Sequence, residues 1–205
     1  LVTDPDTEQQ RIGVLARLAS SSQQSASTDD QGEGFPSLII ASVSAITQES
    51  IAREAFETYR HTLRRGEEIE LDETLDLWRR LGYNFEAAVD IPGTASRRGG
   101  ILDIYPVGAR FPARIELWGD EVDSIREFDP VTQRSTGMIE SFDIPPAAET
   151  LPGFFDPATA ARTIGGIDTS SLSADDRERV EVELDRLLDG YDVDEVNYYA
   201  GIFND

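Results

Sequence analysis

The stretch ILDIYPVGARFPARIELWGDEVDSIREF, Ile101–Phe128, decides the fold. It holds three short β-prone runs, ILDIYP, ARIELWG and EVDSIREF, broken by Gly, Pro and Asp. In ARIELW, Ile115 and Leu117 alternate with Arg114, Glu116 and Trp118. That is the period of a strand with one buried face. Gly119-Asp120 then turns the chain toward EVDSIREF, which predicts an antiparallel hairpin. The β-like pattern runs from Tyr83 to about Ile144 and describes the antiparallel sheet of a small α+β unit.

Upstream of these strands a helix is well marked. Asp72 is the expected N-cap, Leu75, Trp78 and Leu81 form the apolar stripe, and Gly82 fits the C′ position. Before it, Ile51, Ala55 and Tyr59 fall on one helical stripe, followed by an extended piece, HTLRRGEEIEL. Near the start, Ile12, Leu15, Ala16 and Ala19 again have helical spacing. Residues 20–35 are polar and low in complexity, and read as a mobile loop. The run Leu38–Val43 reads as a strand buried on both faces, giving an α/β layer beside the α+β unit. Past Pro145-Pro146, Ser173 and Asp176 make a capping box for a helix. Its stripe is Val180, Leu184, Leu187 and Leu188, and its stop is Gly190.

Charge narrows the classes of partner. Forty acidic residues stand against eighteen basic ones, a formal net charge of −22, and every basic residue is arginine. So acidic a chain repels polyphosphate, which argues against direct nucleic-acid binding over most of its surface. The excess is uneven. Residues 149–205 hold fourteen acids and four arginines, whereas 93–134 hold seven acids and six arginines. A charged partner is expected at that nearly neutral window.

Catalytic readings find little support. Without lysine no GxxxxGK[ST] phosphate loop is possible. Without cysteine there are no disulfides or thiolate metal sites. The single histidine, His61, reads as a surface residue without partners for a triad or a zinc site. Asp120, Glu121 and Asp123 read as a solvated turn and strand edge, not as paired catalytic carboxylates. Catalytic and metal-binding residues are therefore expected to be absent. No apolar run approaches the roughly 20 residues that span a bilayer, so no membrane role is expected. The start, LVTDPDTEQQ, lacks both an initiator Met and a signal-peptide pattern. The chain reads as a cytoplasmic fragment of something larger.

Binding remains. The stretch GTASRRGGILDIYP, Gly93–Pro106, sets Arg97 and Arg98 before Gly99 and Gly100. Arginine forks suit bidentate pairing with carboxylates, and glycines let a partner approach the backbone. Local physics fits two readings equally: the arginines pair with this chain's own acids, or they meet a partner's.

The run RRGGILDIYPVGARFPARIELWGDEVDSIREFDPVTQRS, Arg97–Ser135, closely resembles the transcription-repair coupling factors, whose pattern is SVRGGILDIFP…PVRIEFFGDEIESIRxFDPxTQRS. The excision-repair protein UvrB shares the motif less closely. ASVSAI (41–46), LGY (81–83), IPPAAE (144–149) and NYYAGIF fit the same family in the same order. Thr132-Gln133-Arg134-Ser135 sides with the coupling factors, where UvrB tends to have Thr-Gly, and SAITQES lacks the Tyr-Gly-Ile-Gly that usually follows in UvrB.

The resemblance implies a bacterial, non-catalytic docking module that recruits UvrA, in nucleotide excision repair, to stalled RNA polymerase. Polymerase and DNA would be met through other domains. ATP and magnesium would serve only motor domains outside this chain, which itself would need no cofactor. A fragment of the UvrB excinuclease subunit is the alternative.

Three domain segments are implied. Residues 1–46 are a piece of a degenerate, nucleotide-free α/β domain, 47–145 the UvrA-binding α+β domain, and 146–205 a return segment ending in an acidic helix. Carried over position by position, the motif arginine is Arg98, the expected main UvrA contact, and the motif glycine is Gly99. Arg97 stands where the family has valine. The second docking arginine of UvrB-like sequences, after the LxY tyrosine, is absent from Tyr83-Asn84-Phe85. Phe85 or Arg97 is the candidate replacement. Arg114 and Arg126 are expected to be structural pairs for Glu116 and its neighbours.

Overall fold

A computed structural model describes residues 5–21, 40–47, 53–151, 154, 157–188 and 199. In chain order its elements are α1 (Pro5–Ser21), α2 (Val43–Thr47), α3 (Arg53–Thr58), β1 (His61–Arg64), α4 (Leu71–Arg80), β2 (Asn84–Phe85) and β3 (Thr94–Arg98). There follow β4 (Ile101–Tyr105), β5 (Ala113–Trp118), β6 (Glu121–Phe128), β7 (Ser135–Ile139), β8 (Ser141–Ile144), α5 (Pro157–Gly165) and α6 (Ala174–Leu188). The chain divides into two compact units, one formed chiefly by residues 3–48 and 53–148, the other by 49–52 and 149–205.

The first unit is built on a six-stranded sheet of order β2-β3-β4-β5-β6-β7. Every pairing is antiparallel except β2 with β3, so the sheet is mixed at one edge and not wholly antiparallel as expected. The exception follows from the connection: α4 feeds β2, and the loop of residues 86–93 carries the chain back to start β3 alongside it. β1 and β8 form a separate antiparallel pair. The segment after β1 joins this pair to the large sheet, because Gly66 N–H donates to Val122 and Ile69 N–H to Asp120 at the start of β6.

Side-chain alternation divides the sheet into two unlike faces. Ala95, Leu102, Ile104, Ala113, Ile115 and Ile125 occupy facing register positions and are fully buried. Burying a side chain of Leu or Ile size stabilises by about 1.5–3 kcal/mol, so this face holds the sheet in register. α4 covers it: Leu75 and Trp78 are buried, Asp72 reaches Arg97 at 3.4 Å, and Arg79 lies over the Phe85 ring. The opposite face presents Arg98, Asp103, Arg114, Glu116 and Arg126, a charged ladder.

α4 starts earlier than expected. Glu70 is its N-cap in extended backbone, its carbonyl accepting from Thr74 N–H, while Asp72 sits inside the first turn beside Glu73. There the two acids complement the positive helix end. Gly82 does stand just past the helix, at φ +87°, and an added Cβ would lie 2.6 Å from the Ala148 side chain. The Tyr83 hydroxyl then donates to the Pro145 carbonyl at 2.8 Å, and burial pushes its pKa up.

The expected strand Leu38–Val43 is not found where it can be checked. Leu38 and Ile39 lie outside the described residues, 40–42 form no element, and Val43 opens α2 with Ile40, Val43 and Ile46 exposed. A buried strand needs a ladder partner, and no described strand pairs with this run. Of the loop expected at 20–35, Ser20 and Ser21 belong to α1, and 22–35 lie outside the described residues. In α1, Ile12 and Ala16 are buried as the stripe predicts, and the Gly13 backbone closely approaches Gly108.

In the second unit α5 lies against α6. The capping box is formed: Ser173 Oγ accepts from Asp176 N–H at 3.2 Å and donates to the Asp176 carboxylate at 2.7 Å. Those bonds hold Asp176 below the usual carboxylate range, and Arg179 adds to the effect. Leu184 and Leu187 are buried, and the Tyr199 hydroxyl donates to Glu183 at 2.6 Å. The expected stop at Gly190 lies outside the described residues. No described helix is long and apolar enough to cross a membrane.

Candidate docking site

Arg97 and Arg98 end β3, and Gly99-Gly100 is the two-residue turn that leads into β4, with Arg98 paired to Ile101. Gly99 has φ +64° and Gly100 does not share it. A positive φ at the first turn position alone is the type II′ pattern, whose twist suits a hairpin. Nothing lies within 4 Å of an added Gly99 Cβ, so glycine is required here by the backbone angle and not by crowding. The same pattern recurs at Gly119-Asp120 between β5 and β6, where Gly119 also has φ +64°. Gly100 accepts from Leu117 N–H, so the two hairpin tips lie at the same end of the sheet.

β3 itself escapes the hydrophobic pattern. Thr94, Ala95 and Ser96 are buried, yet TASRR carries no large apolar residue. The signal that could have found it is the Gly-Gly pair, separating it from ILDIY by the two residues of a tight hairpin.

The two arginines differ in environment. They alternate across the strand, so Arg97 lies on the α4 side and Arg98 on the open face. Arg97 meets the exposed Asp72 at 3.4 Å and its own turn at Gly99 O. An exposed ion pair of that kind is worth about 0–1 kcal/mol. Arg98 pairs with Asp103 through Nη2, while its side chain stays 52% exposed.

Asp103 is the pivot of the open face. It is 1% exposed and is also gripped by Arg114, Nε to Oδ1 at 2.7 Å and Nη2 to Oδ2 at 2.8 Å. The expectation that Arg114 would pair with Glu116 is corrected here. Two residues apart on one face of β5, the two interact only through charge, whereas Asp103 stands directly opposite Arg114 in β4 and takes its hydrogen bonds. Arg114 also lies over the Phe128 ring at 4.8 Å, and the Asp103 bonds raise its pKa against the effect of burial. Arg126 does approach Glu116, at 3.6 Å, and Ser124 donates to the same carboxylate.

One buried carboxylate thus holds two guanidiniums, leaving a net positive charge and unused Arg98 donors facing outward. Arg98 and Arg114 border an open concavity of about 620 Å³ with Ala88, Asp90, Ile101, Pro130, Val131 and Gln133. Its far wall is the turn DPVTQRS. The Asp129 carboxylate accepts from Val131 N–H, Thr132 N–H and the Thr132 hydroxyl, bonds that hold its pKa below the usual carboxylate range. Gln133 sits at φ +59°, and its side-chain amide donates to the carbonyls of Val89 and Pro130.

Phe85 lies on β2, half-buried, with Arg79 stacked over its ring at 4.6 Å. By register it shares the α4 face with Arg97 and is not on the open face with Arg98. His61 departs from its expected surface role. It is half-buried and accepts a hydrogen bond from the buried Trp78 indole at 3.1 Å. Burial lowers its pKa, against the opposing charge of Glu67. Among the described residues no group of three His, Asp or Glu side chains is placed to hold a metal ion.

A family model described as the UvrB interaction domain matches residues 62–149, from β1 through β8 and the end of the first unit. Curated relatives carry the name transcription-repair-coupling factor. The protein of Bacillus subtilis (strain 168) is 30% identical over 213 residues, covering 98% of this chain and 17% of its own length. That of Staphylococcus aureus (strain bovine RF122 / ET3-1) is 39% identical over 147 residues, 72% of this chain and 11% of its own. That of Staphylococcus haemolyticus (strain JCSC1435) is 47% identical over 96 residues, 47% of this chain and 8% of its own. The chain therefore spans less than a fifth of the length of these relatives. Residues 62–149 match the UvrB interaction domain, in a chain whose sequence relatives are transcription-repair-coupling factors.

Proposed function

We propose that this chain is a non-catalytic docking module that binds UvrA and so links nucleotide excision repair to a stalled RNA polymerase. The observation that carries the reading is the interaction-domain match, which falls on the sheet whose hairpin tip presents Arg98. The coupling-factor names of the relatives favour this over a fragment of UvrB. Polymerase and DNA are met by other parts of the longer protein, and ATP with magnesium serves those parts. Docking itself needs no cofactor.

In this reading Arg98 is the main contact. Asp103 orients its guanidinium, and the remaining donors receive a carboxylate of UvrA. Gly99 sets the turn that presents it. Arg97 adds positive charge on the other side of the strand, where the Phe85–Arg79 stack also lies, so of the two candidate replacements for the missing second arginine Arg97, beside the hairpin tip, is the nearer to Arg98.

The test is co-purification of UvrA with the 205-residue chain at low salt, with Arg98→Ala beside it. Alanine is a cleaner probe than Arg98→Glu, which would set a second carboxylate against the buried Asp103. The unmodified chain retains UvrA and the folded variant loses most of it. Equal retention by both removes Arg98 from the interface.

A further inference from the structure

The end of the sheet that presents Arg98 carries a second unusual side chain. Trp118 closes β5 at the adjoining hairpin tip and is 82% exposed, in contrast to Trp78, which is fully buried. Strand alternation places it on the open face. Ile115 and Leu117 point to the α4 side, so Arg114, Glu116 and Trp118 point the other way. The bulge between β5 and β6 lies on the β6 strand, where Asp123 is the extra residue, and leaves the β5 alternation intact. Arg98, Ile101 and Glu116 occupy one register row across β3, β4 and β5, and Trp118 stands two residues beyond Glu116 on the same strand. Half-buried Ile101 lies between the arginine and the indole.

Nothing about the fold calls for an aromatic ring in water at this position. The tip geometry is set by Gly119, and the core is complete with Ile115, Leu117 and Val122 beneath it. Tryptophan and arginine are also the side chains most enriched among residues that dominate binding energy at interfaces. Charge fixes an orientation as well. The Arg98 end is positive beyond its Asp103 partner, whereas Asp120 and Glu121 border the indole.

We infer that Trp118 is the aromatic anchor of the docking surface, which runs over the open face from Arg98 across Ile101 to the second hairpin tip. Its occupant is a UvrA surface that sets carboxylates opposite Arg98 and an apolar pocket with basic edges opposite Trp118. The inference rests on the docking function proposed above. It adds a second, independent contact at the neighbouring tip, made by dispersion and apolar burial instead of charge.

Titration of UvrA against the 205-residue chain tests it, with Trp118→Ala, Trp118→Phe and Met138→Ala compared. Met138 is an exposed side chain on the far strand β7 and serves as a positional control. Because Trp118 is exposed, its replacement leaves melting temperature unchanged. Trp118→Ala weakens binding at least tenfold, Trp118→Phe loses less, and Met138→Ala stays within twofold. Binding by the unmodified chain with Trp118→Ala within twofold overturns the anchor and leaves the docking function standing. A loss with Met138→Ala equal to that with Trp118→Ala also overturns it. Failure of the folded, unmodified chain to bind contradicts the docking function and the anchor together.

Discussion

Asp103 and Arg98 form one ion pair with unequal consequences for their loss. Arg98 is half-exposed, and its truncation leaves Asp103 still held by both bonds from Arg114. Arg98→Ala should therefore cost no more than about 1 kcal/mol of stability. Removing the buried carboxylate instead strands two guanidiniums, one of them largely enclosed. Asp103→Ala should cost about 3–5 kcal/mol, and urea denaturation of the two variants checks the contrast. Sequence reading singled out Arg98 from its motif but passed over Asp103, because one acid among forty has no distinguishing pattern. Only strand register reveals that it faces Arg114. His61 yields a second prediction. Its ordinary pKa of 6.5 is lowered by burial, so folding favours the neutral ring that accepts the hydrogen bond from the Trp78 indole. That stabilisation is complete above 6.5 and is lost as pH falls through the lower folded-state value. As the only histidine, its ring proton titration by NMR should give a midpoint below 6.5. A midpoint at or above 6.5 contradicts the burial argument.

Among the elements, β4, β5 and β6 were legible because alternating apolar positions and glycine turns agree. TASRR was not, since a strand of small and charged residues is held by its neighbours and not by its own propensity. The hairpin it forms makes a specific demand at Gly99. Gly99→Ala forces a Cβ into a left-handed angle and should cost about 1–2 kcal/mol, although nothing crowds the site. The DPVTQRS turn shows the opposite solution. Gln133 occupies φ +59°, where glycine would be free of strain, and gains side-chain bonds to Val89 and Pro130. Gln133→Ala keeps the strain and loses the bonds, so it should destabilise by about 1–2 kcal/mol. Gln133→Gly should cost less, and thermal denaturation of the pair distinguishes them. A motif read from sequence as a family marker is thus also a mechanical tie between that turn and the loop before β3. α1, α4 and α6 were legible from their stripes, whereas α2 begins inside the run read as a strand and α5 went unread. The start of α4 was missed as well, because Glu70, Asp72 and Glu73 are all acceptable near a helix N-terminus.

Over the whole molecule, charge was the clearest signal: the nearly neutral window, residues 93–134, contributes most of the open face. A net charge of −22 also predicts that the chain alone gives no shift of duplex DNA in a gel at physiological salt. What sequence could not supply was the division of that window between two faces, because the roles of Arg97 and Arg98 depend on which side α4 covers. Residues 62–149 complete the six-stranded sheet and the β1–β8 pair together, so the proposed docking surface belongs to a unit with its own core. The most direct measurement is calorimetric titration of UvrA with the folded chain and with Arg98→Ala, at low and high salt. Saturable binding that weakens with salt, and weakens at least tenfold more on loss of Arg98, is the predicted result. Absence of any binding by the folded, unmodified chain at low salt would contradict the account.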